Sequence, residues 1–204
     1  MKENTNAGLL PDQYTGEEIN SEKTELFENT IEAKAFYNKV VHRLQNVNEW
    51  HQLAGTLSAD FQLTDKNGHD VMDAVQKGNF IRINIRGPGN KSGEGYDWVQ
   101  VEELKYISGE DEESFGFRVR PARNPAGDED VISHFYSEES TSSFIVSRMS
   151  NKITAGIYDR NTLPNSDAVF FADKIRHLAV GTVGIAALSK LQWNGLLEGL
   201  MFDV

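Results

Sequence analysis

Proton transfer near neutral pH falls first to histidine, and this sequence holds five: His42, His51, His69, His134 and His177. None of them forms a His-Glu-x-x-His pair on one helical face, so no metal site is indicated. Cysteine is absent, which removes thiolate ligands, cysteine nucleophiles and disulfides and fits a reducing compartment. No Gly-x-Ser-x-Gly elbow occurs, and no catalytic triad is nominated. If the chain is an enzyme, the groups suited to moving a proton are His51, which follows Trp50, together with His134 and Glu102.

Gly87-Pro88-Gly89-Asn90-Lys91-Ser92-Gly93-Glu94-Gly95 packs four glycines between two strand patterns. A phosphate-cradling loop must open a helix so that its N–H groups meet the anion, and here a strand follows. Lys91-Ser92 comes after Asn90, so the Gly-Lys-Ser order of a nucleotide loop is missing and no cofactor is implied. The stretch reads as a flexible hairpin connection, with a ligand-gating lid as the alternative. Arg82, Arg86, Arg118 and Arg120, extended by Arg148 and Arg160, form a cationic patch if their strands are neighbours. Alternation with Ile, Phe and Val favours a solvent face on which they pair with Asp60, Glu102 or Asp159.

The large rings Trp50, Trp98, Trp193, Tyr96, Phe115 and Phe117 either wall a cavity for an apolar ligand or fill a solid core. The ligand-binding candidates are therefore Trp50, His51, Trp98, Phe115, Phe117 and Trp193, and no catalytic residue is assigned.

The chain that must position these groups has 204 residues, enough for one ordinary core. Its net charge of −11 repels phosphate backbones and anionic membrane surfaces, so neither nucleic acid nor a membrane is an expected partner. The longest apolar stretch, Leu178 to Leu188, is far short of the roughly 20 residues that span a bilayer. Met1-Lys2-Glu3-Asn4-Thr5-Asn6 lacks the apolar segment of a secretory signal, and the expected location is the cytoplasm. Residues 1–28, which contain Glu17, Glu18, Glu22, Glu25 and Glu28, read as a flexible acidic tail before a single domain at 29–204.

From a Thr30 N-cap, apolar residues at Ala33, Phe36 or Tyr37, Val40, Leu44 and Val47 predict an amphipathic helix, followed by a short turn at Glu49 to Leu53. The period then changes to two. Phe61 and Leu63 precede an Asp65-Lys66-Asn67-Gly68 turn, and Ile81, Ile83 and Ile85 share one face of the next strand. Tyr96 to Ile107 shifts phase near Glu102-Glu103, the mark of a bulge, and Phe115, Phe117 and Val119 line one face before Pro121. Val131 to Tyr136 reads as a short strand, and Phe144 to Met149 and Ile153 to Arg160 as a hairpin around Ser150-Asn151-Lys152. A helix is expected from about Asp167 towards Leu200, with Leu188 and Leu191 buried against the sheet.

This order resembles the START-like, or SRPBCC, helix-grip superfamily over residues 30–204. The resemblance is carried by the Val40-to-Trp50 segment ending in Glu49-Trp50 and by the helix from about Asp167 to Leu200. It implies an α+β fold in which a curved antiparallel sheet of about six to eight strands wraps a long C-terminal helix, leaving a cavity for a hydrophobic or amphipathic small molecule. Lipid carriers, hormone-binding proteins, cyclases and subunits of ring-hydroxylating enzymes share that architecture. A lipocalin-like barrel with a terminal helix is the alternative. Three functions stay open: a cytoplasmic small-molecule binding module, a cyclase- or hydrolase-like enzyme using a pocket histidine or carboxylate, and a non-catalytic interaction protein forming a homodimer.

Overall fold

The structure is a computed structural model describing residues 8–54, 59–85, 93–128, 130–165 and 185–202, with residues 185–189 described by their backbone alone. Seven strands form one antiparallel sheet: β1 (Glu17–Leu26), β2 (Asp60–Thr64), β3 (Phe80–Asn84), β4 (Asp97–Ser108), β5 (Glu112–Pro121), β6 (Thr141–Met149) and β7 (Lys152–Thr162). Their spatial order is β1-β7-β6-β5-β4-β3-β2, so every neighbour is a sequence neighbour except β1, which crosses to β7. Helices α1 (Thr30–Gln45), α2 (Trp50–Leu53) and α3 (Ile185–Met201) lie against the sheet, with one 3₁₀ turn at Val47–Glu49 before α2. This is the helix-grip arrangement of a curved sheet around a C-terminal helix. The lipocalin-like alternative falls because β1 and β2 stand at opposite ends of the sheet and do not pair. Among the described residues no helix is long and apolar enough to cross a membrane.

The flexible tail expected over residues 1–28 is corrected by β1, which pairs with β7 from Glu17↔Thr162 to Leu26↔Lys152. An edge strand needs few apolar residues, and its charges discourage pairing with other chains, so its acidic composition imitated a tail. Ahead of it, Leu9 is buried on the outer face of the sheet against Ile145 and Tyr158. The carbonyl of Leu9 accepts from Ser143 Oγ at 2.7 Å.

Helix α1 is capped one residue earlier than expected, by Asn29, whose side chain accepts from the Glu32 N–H. Its stripe of Ala33, Tyr37, Val40 and Leu44 is buried, and the following turn inserts Trp50 into the core. On β4 the register shifts between Val101 and Glu103, as the phase change implied. Val99 and Val101 face the core before the bulge; Leu104 packs on it after the bulge. Val131 to Tyr136 is an irregular segment rather than a strand, held by a single bridge from Tyr136 to Pro164 and by the Trp98 N–H donating to the Ser133 carbonyl.

Residues 166–184 lie outside the described part, and with them the expected start of the C-terminal helix and the positions of Ile175, Leu178 and Val183. The side chain of Leu188 lies outside it as well. Burial of Leu191 is corrected: it is 65% exposed, while Leu196, Leu197, Leu200 and Met201 are buried. At 3.6 residues per turn Leu191 stands roughly 140° around the helix from Leu196, too far to share its face. Two glycines on α3 face α2. A Cβ on Gly199 would stand 2.0 Å from the Leu53 carbonyl oxygen, and one on Gly195 would stand 3.1 Å from that of Ala54. The last turns of α3 are tied further by Arg43 Nη1, which donates to the carbonyls of Leu200 at 3.1 Å and Phe202 at 3.2 Å, and by a Lys23–Glu198 ion pair.

Candidate functional site

An apolar cavity of about 40 Å³ lies between the inner face of the sheet and α3. Its walls come from residues in phase on neighbouring strands, Ile81 and Ile83 of β3, Val99 of β4, Val119 of β5 and Phe144 of β6. Trp50 and Phe61 close one side and Trp193 another, with Phe144 meeting Trp193 edge-on at 5.4 Å between ring centres. The irregular run His134-Phe135-Tyr136 supplies the remaining wall.

The polar members of this lining are His134, Ser142 and Gln192, with Tyr136 alongside. His134 is 5% exposed, and its ring stacks on Phe135 at 4.3 Å. Its Nδ1 accepts the backbone N–H of Tyr136 at 3.0 Å, so a neutral ring carries its proton on Nε2. Burial drives its pKa down to about 3, since a buried imidazolium has no water to solvate it. Behind the wall, Asp159 of β7 is buried and accepts the indole N–H of Trp193 at 2.8 Å. Burial pushes this carboxyl up to about 6, against the opposing pull of Ser142, Trp193 and the Arg160 charge.

Of the six candidates read from the sequence, Trp50 and Trp193 line the cavity. Phe115 and Phe117 point to the same face of β5 but are sealed in solid core, where Phe117 stacks on Phe144 at 5.1 Å. Trp98 is corrected: it alternates with the core-facing Val99 and so lies across the sheet, its Nε1 donating to the Gly93 carbonyl at 3.3 Å. His51 is exposed on α2 and lines a separate, more polar pocket of about 280 Å³ with Asn48, Asp60, Phe61, Gln62, Arg82, Asn84 and Tyr96; Phe61 is common to it and the cavity, and His51 does not line the cavity. Of Gly87 to Gly95 only residues 93–95 are described, and they form a turn.

Glu102, the third proton-transfer candidate, stands at the β4 bulge between Arg118 and Arg120. Burial opposes its charge, but hydrogen bonds from Arg120 and Arg118 outweigh it and hold the carboxyl below its usual range. It braces the outer face and does not line the cavity. The solvent-facing arrangement expected for the arginines describes Arg118 and Arg120 with Glu102, and Arg82 with Asp70. Arg148 departs from it: the side chain is 2% exposed, pairs with Glu113 at 2.7 Å and donates to the carbonyls of Ser150 and Glu110. Asp159 departs too, because it faces inward to Trp193.

Sequence reading named His134 as a pocket candidate but missed Phe135 and Tyr136 beside it as cavity wall, and the available signal was three ring side chains in an otherwise polar connection. It missed Asp159 as a partner of Trp193, for which nothing local gives a sign.

No protein-family model matches this chain, and no curated protein matches its sequence. Among solved structures it is similar to the hypothetical protein jhp0584 from Helicobacter pylori, at 12% identity and a TM-score of 0.52 over 92% of this chain and 87% of that one. That likeness is one of fold. The major latex-like protein 151 of Panax ginseng aligns at 13% identity and a TM-score of 0.34, covering 87% of this chain and 97% of that one. Norcoclaurine synthase of Thalictrum flavum aligns at 10% and 0.34, covering 89% and 87%. These two are too distant in shape to bear on what this chain binds.

Proposed function

We propose that the chain is a distant START-like, or SRPBCC, protein that binds a small, mainly apolar molecule between α3 and the sheet, acting as a binding module in the cytoplasm. The observation that carries this reading is the cavity itself, a mainly apolar volume with a few polar groups in its lining, the usual build of a ligand site. At about 40 Å³ it holds a few waters, whereas pockets for drug-sized ligands run to roughly 300 Å³ or more, so a ligand must lift one wall. The anchoring of α3 supports a movable wall. Its last turns are buried and tied to Arg43 and Lys23, while Leu191 is exposed and, among the described residues of α3, Gln192 and Trp193 reach the cavity.

Native mass spectrometry on protein purified from its own host, followed by organic extraction, tests the reading. A co-purifying small apolar compound is expected, together with saturable binding of the neutral dye Nile red that alters the emission of Trp50 and Trp193. The absence of any co-purifying compound and of saturable dye binding would remove it. An acid–base enzyme working in the same cavity would have to use His134, because His51 and Glu102 do not line it.

A further inference from the structure

We propose that the Nε2–H of His134 is the recognition group of the cavity, donating a hydrogen bond to the carbonyl oxygen of an uncharged, otherwise apolar ligand. The inference rests on the ligand-cavity reading and narrows the class of molecule it accepts.

His134 lines the cavity, is 5% exposed, and among the described residues only its Nδ1 is engaged, by the Tyr136 N–H. That contact fixes the tautomer: a nitrogen accepting a backbone N–H carries no proton, so the proton sits on Nε2. The ring is held in place by stacking on Phe135 at 4.3 Å and by the Nδ1 contact to the Tyr136 N–H. An N–H in a mainly apolar recess gains from a partner, and a ligand oxygen supplies one in a wall whose strand-borne members are aliphatic or aromatic apart from Ser142.

The charge state selects the ligand further. Burial holds the imidazole neutral, with its pKa down at about 3. A carboxylate would have to bring a buried negative charge without a cation to meet it, and an ammonium would meet a donor where it needs an acceptor. A ketone, aldehyde or ester oxygen requires neither. A site built around one buried donor also rejects the isostere lacking the acceptor, because the donor is then left unsatisfied.

Two probes of nearly the same shape separate the possibilities: cyclohexanone and methylenecyclohexane, titrated into the full chain and followed by NMR of the ¹⁵N-labelled histidine rings. The free protein should show His134 as the Nε2–H tautomer, and that proton resonance should move with the ketone and stay in place with the hydrocarbon. The ketone should bind about 3- to 10-fold more tightly, the worth of one net hydrogen bond. His134→Phe should bring the two affinities together, and His134→Gln, which keeps an N–H donor, should restore part of the preference. An Nδ1–H tautomer in the free protein overturns the proposal without any variant having to fold. Equal binding of the two probes to the native chain overturns it while leaving the cavity reading intact. Binding of neither probe removes the cavity reading, and this inference with it.

Discussion

The indole of Trp193 on α3 reaches into the sheet and donates its N–H to the Asp159 carboxylate on β7 across 2.8 Å. Asp159 is buried and Trp193 half-buried, so the carboxyl has little water to replace the bond if the indole is lost. Trp193→Phe keeps the edge contact to Phe144 and removes the donor. It should destabilise the fold by about 1–3 kcal/mol in urea denaturation. Amide hydrogen exchange should quicken around residues 190–193 and stay slow at Leu200. Uniform exchange along the helix would mean that Trp193 is not the tie that holds its exposed part.

Asp159 and His134 together set an unusual pH response. Asp159, with a folded pKa of about 6 against an ordinary 3.8, contributes stability that is full below the ordinary value and is lost as pH rises through 6. His134, at about 3 against 6.5, contributes stability that is full above 6.5 and is lost as pH falls towards 3. Between about pH 6 and 4 the folded chain carries one proton on Asp159 and the unfolded chain carries one on His134, so the two slopes cancel. Asp159→Asn should expose the histidine alone, with stability falling by up to about 1.4 kcal/mol for each pH unit of acidification. His134→Gln should do the reverse. Urea midpoints at pH 7, 6, 5 and 4 decide the matter, and parallel profiles for native and variant chains would refute the compensation.

On α3, Leu196→Ala should cost about 2–5 kcal/mol, as for any truncated core leucine, whereas Leu191→Ala should stay within about 0.5 kcal/mol. Chemical denaturation of the two variants suffices. Equal losses would put Leu191 in the core after all.

Gly199→Ala offers a test with an inverted sign. Alanine in place of a helix glycine ordinarily gains about 1 kcal/mol, but here its Cβ would stand 2.0 Å from the backbone oxygen of Leu53, which cannot swing aside as a side chain could. The expected result is a loss of about 1–3 kcal/mol by calorimetry or urea melting. A gain would mean that α3 and α2 part without penalty.

Much of the inner sheet was legible because period two is hard to mistake: Ile81 and Ile83 sit where their alternation puts them, and the phase break at Glu102 is a bulge. The same alternation already set Trp98 opposite Val99, and only its size recommended it for the cavity. β1 was illegible for a physical reason, since an edge strand needs charge more than greasy residues and so looks like a solvated segment. The burial of His134 and Asp159 was not legible because their environments are made by tertiary packing of a loop and a strand end, which no local spacing encodes.

The crossing of β1 to β7 bears on the order in which the molecule can be assembled. Thr162 donates through its hydroxyl to the Glu17 carbonyl, a contact 145 residues apart in the chain. On a ribosome β1 emerges early and has no partner until β7 follows, after β2 through β6 have had time to form their meander. During that interval a ten-residue strand stands unpaired, an invitation to neighbouring nascent chains. Glu17, Glu18, Glu22 and Glu25 repel such partners for as long as the wait lasts, so the acidity that made the segment look like a tail serves the unfinished protein as much as the finished one.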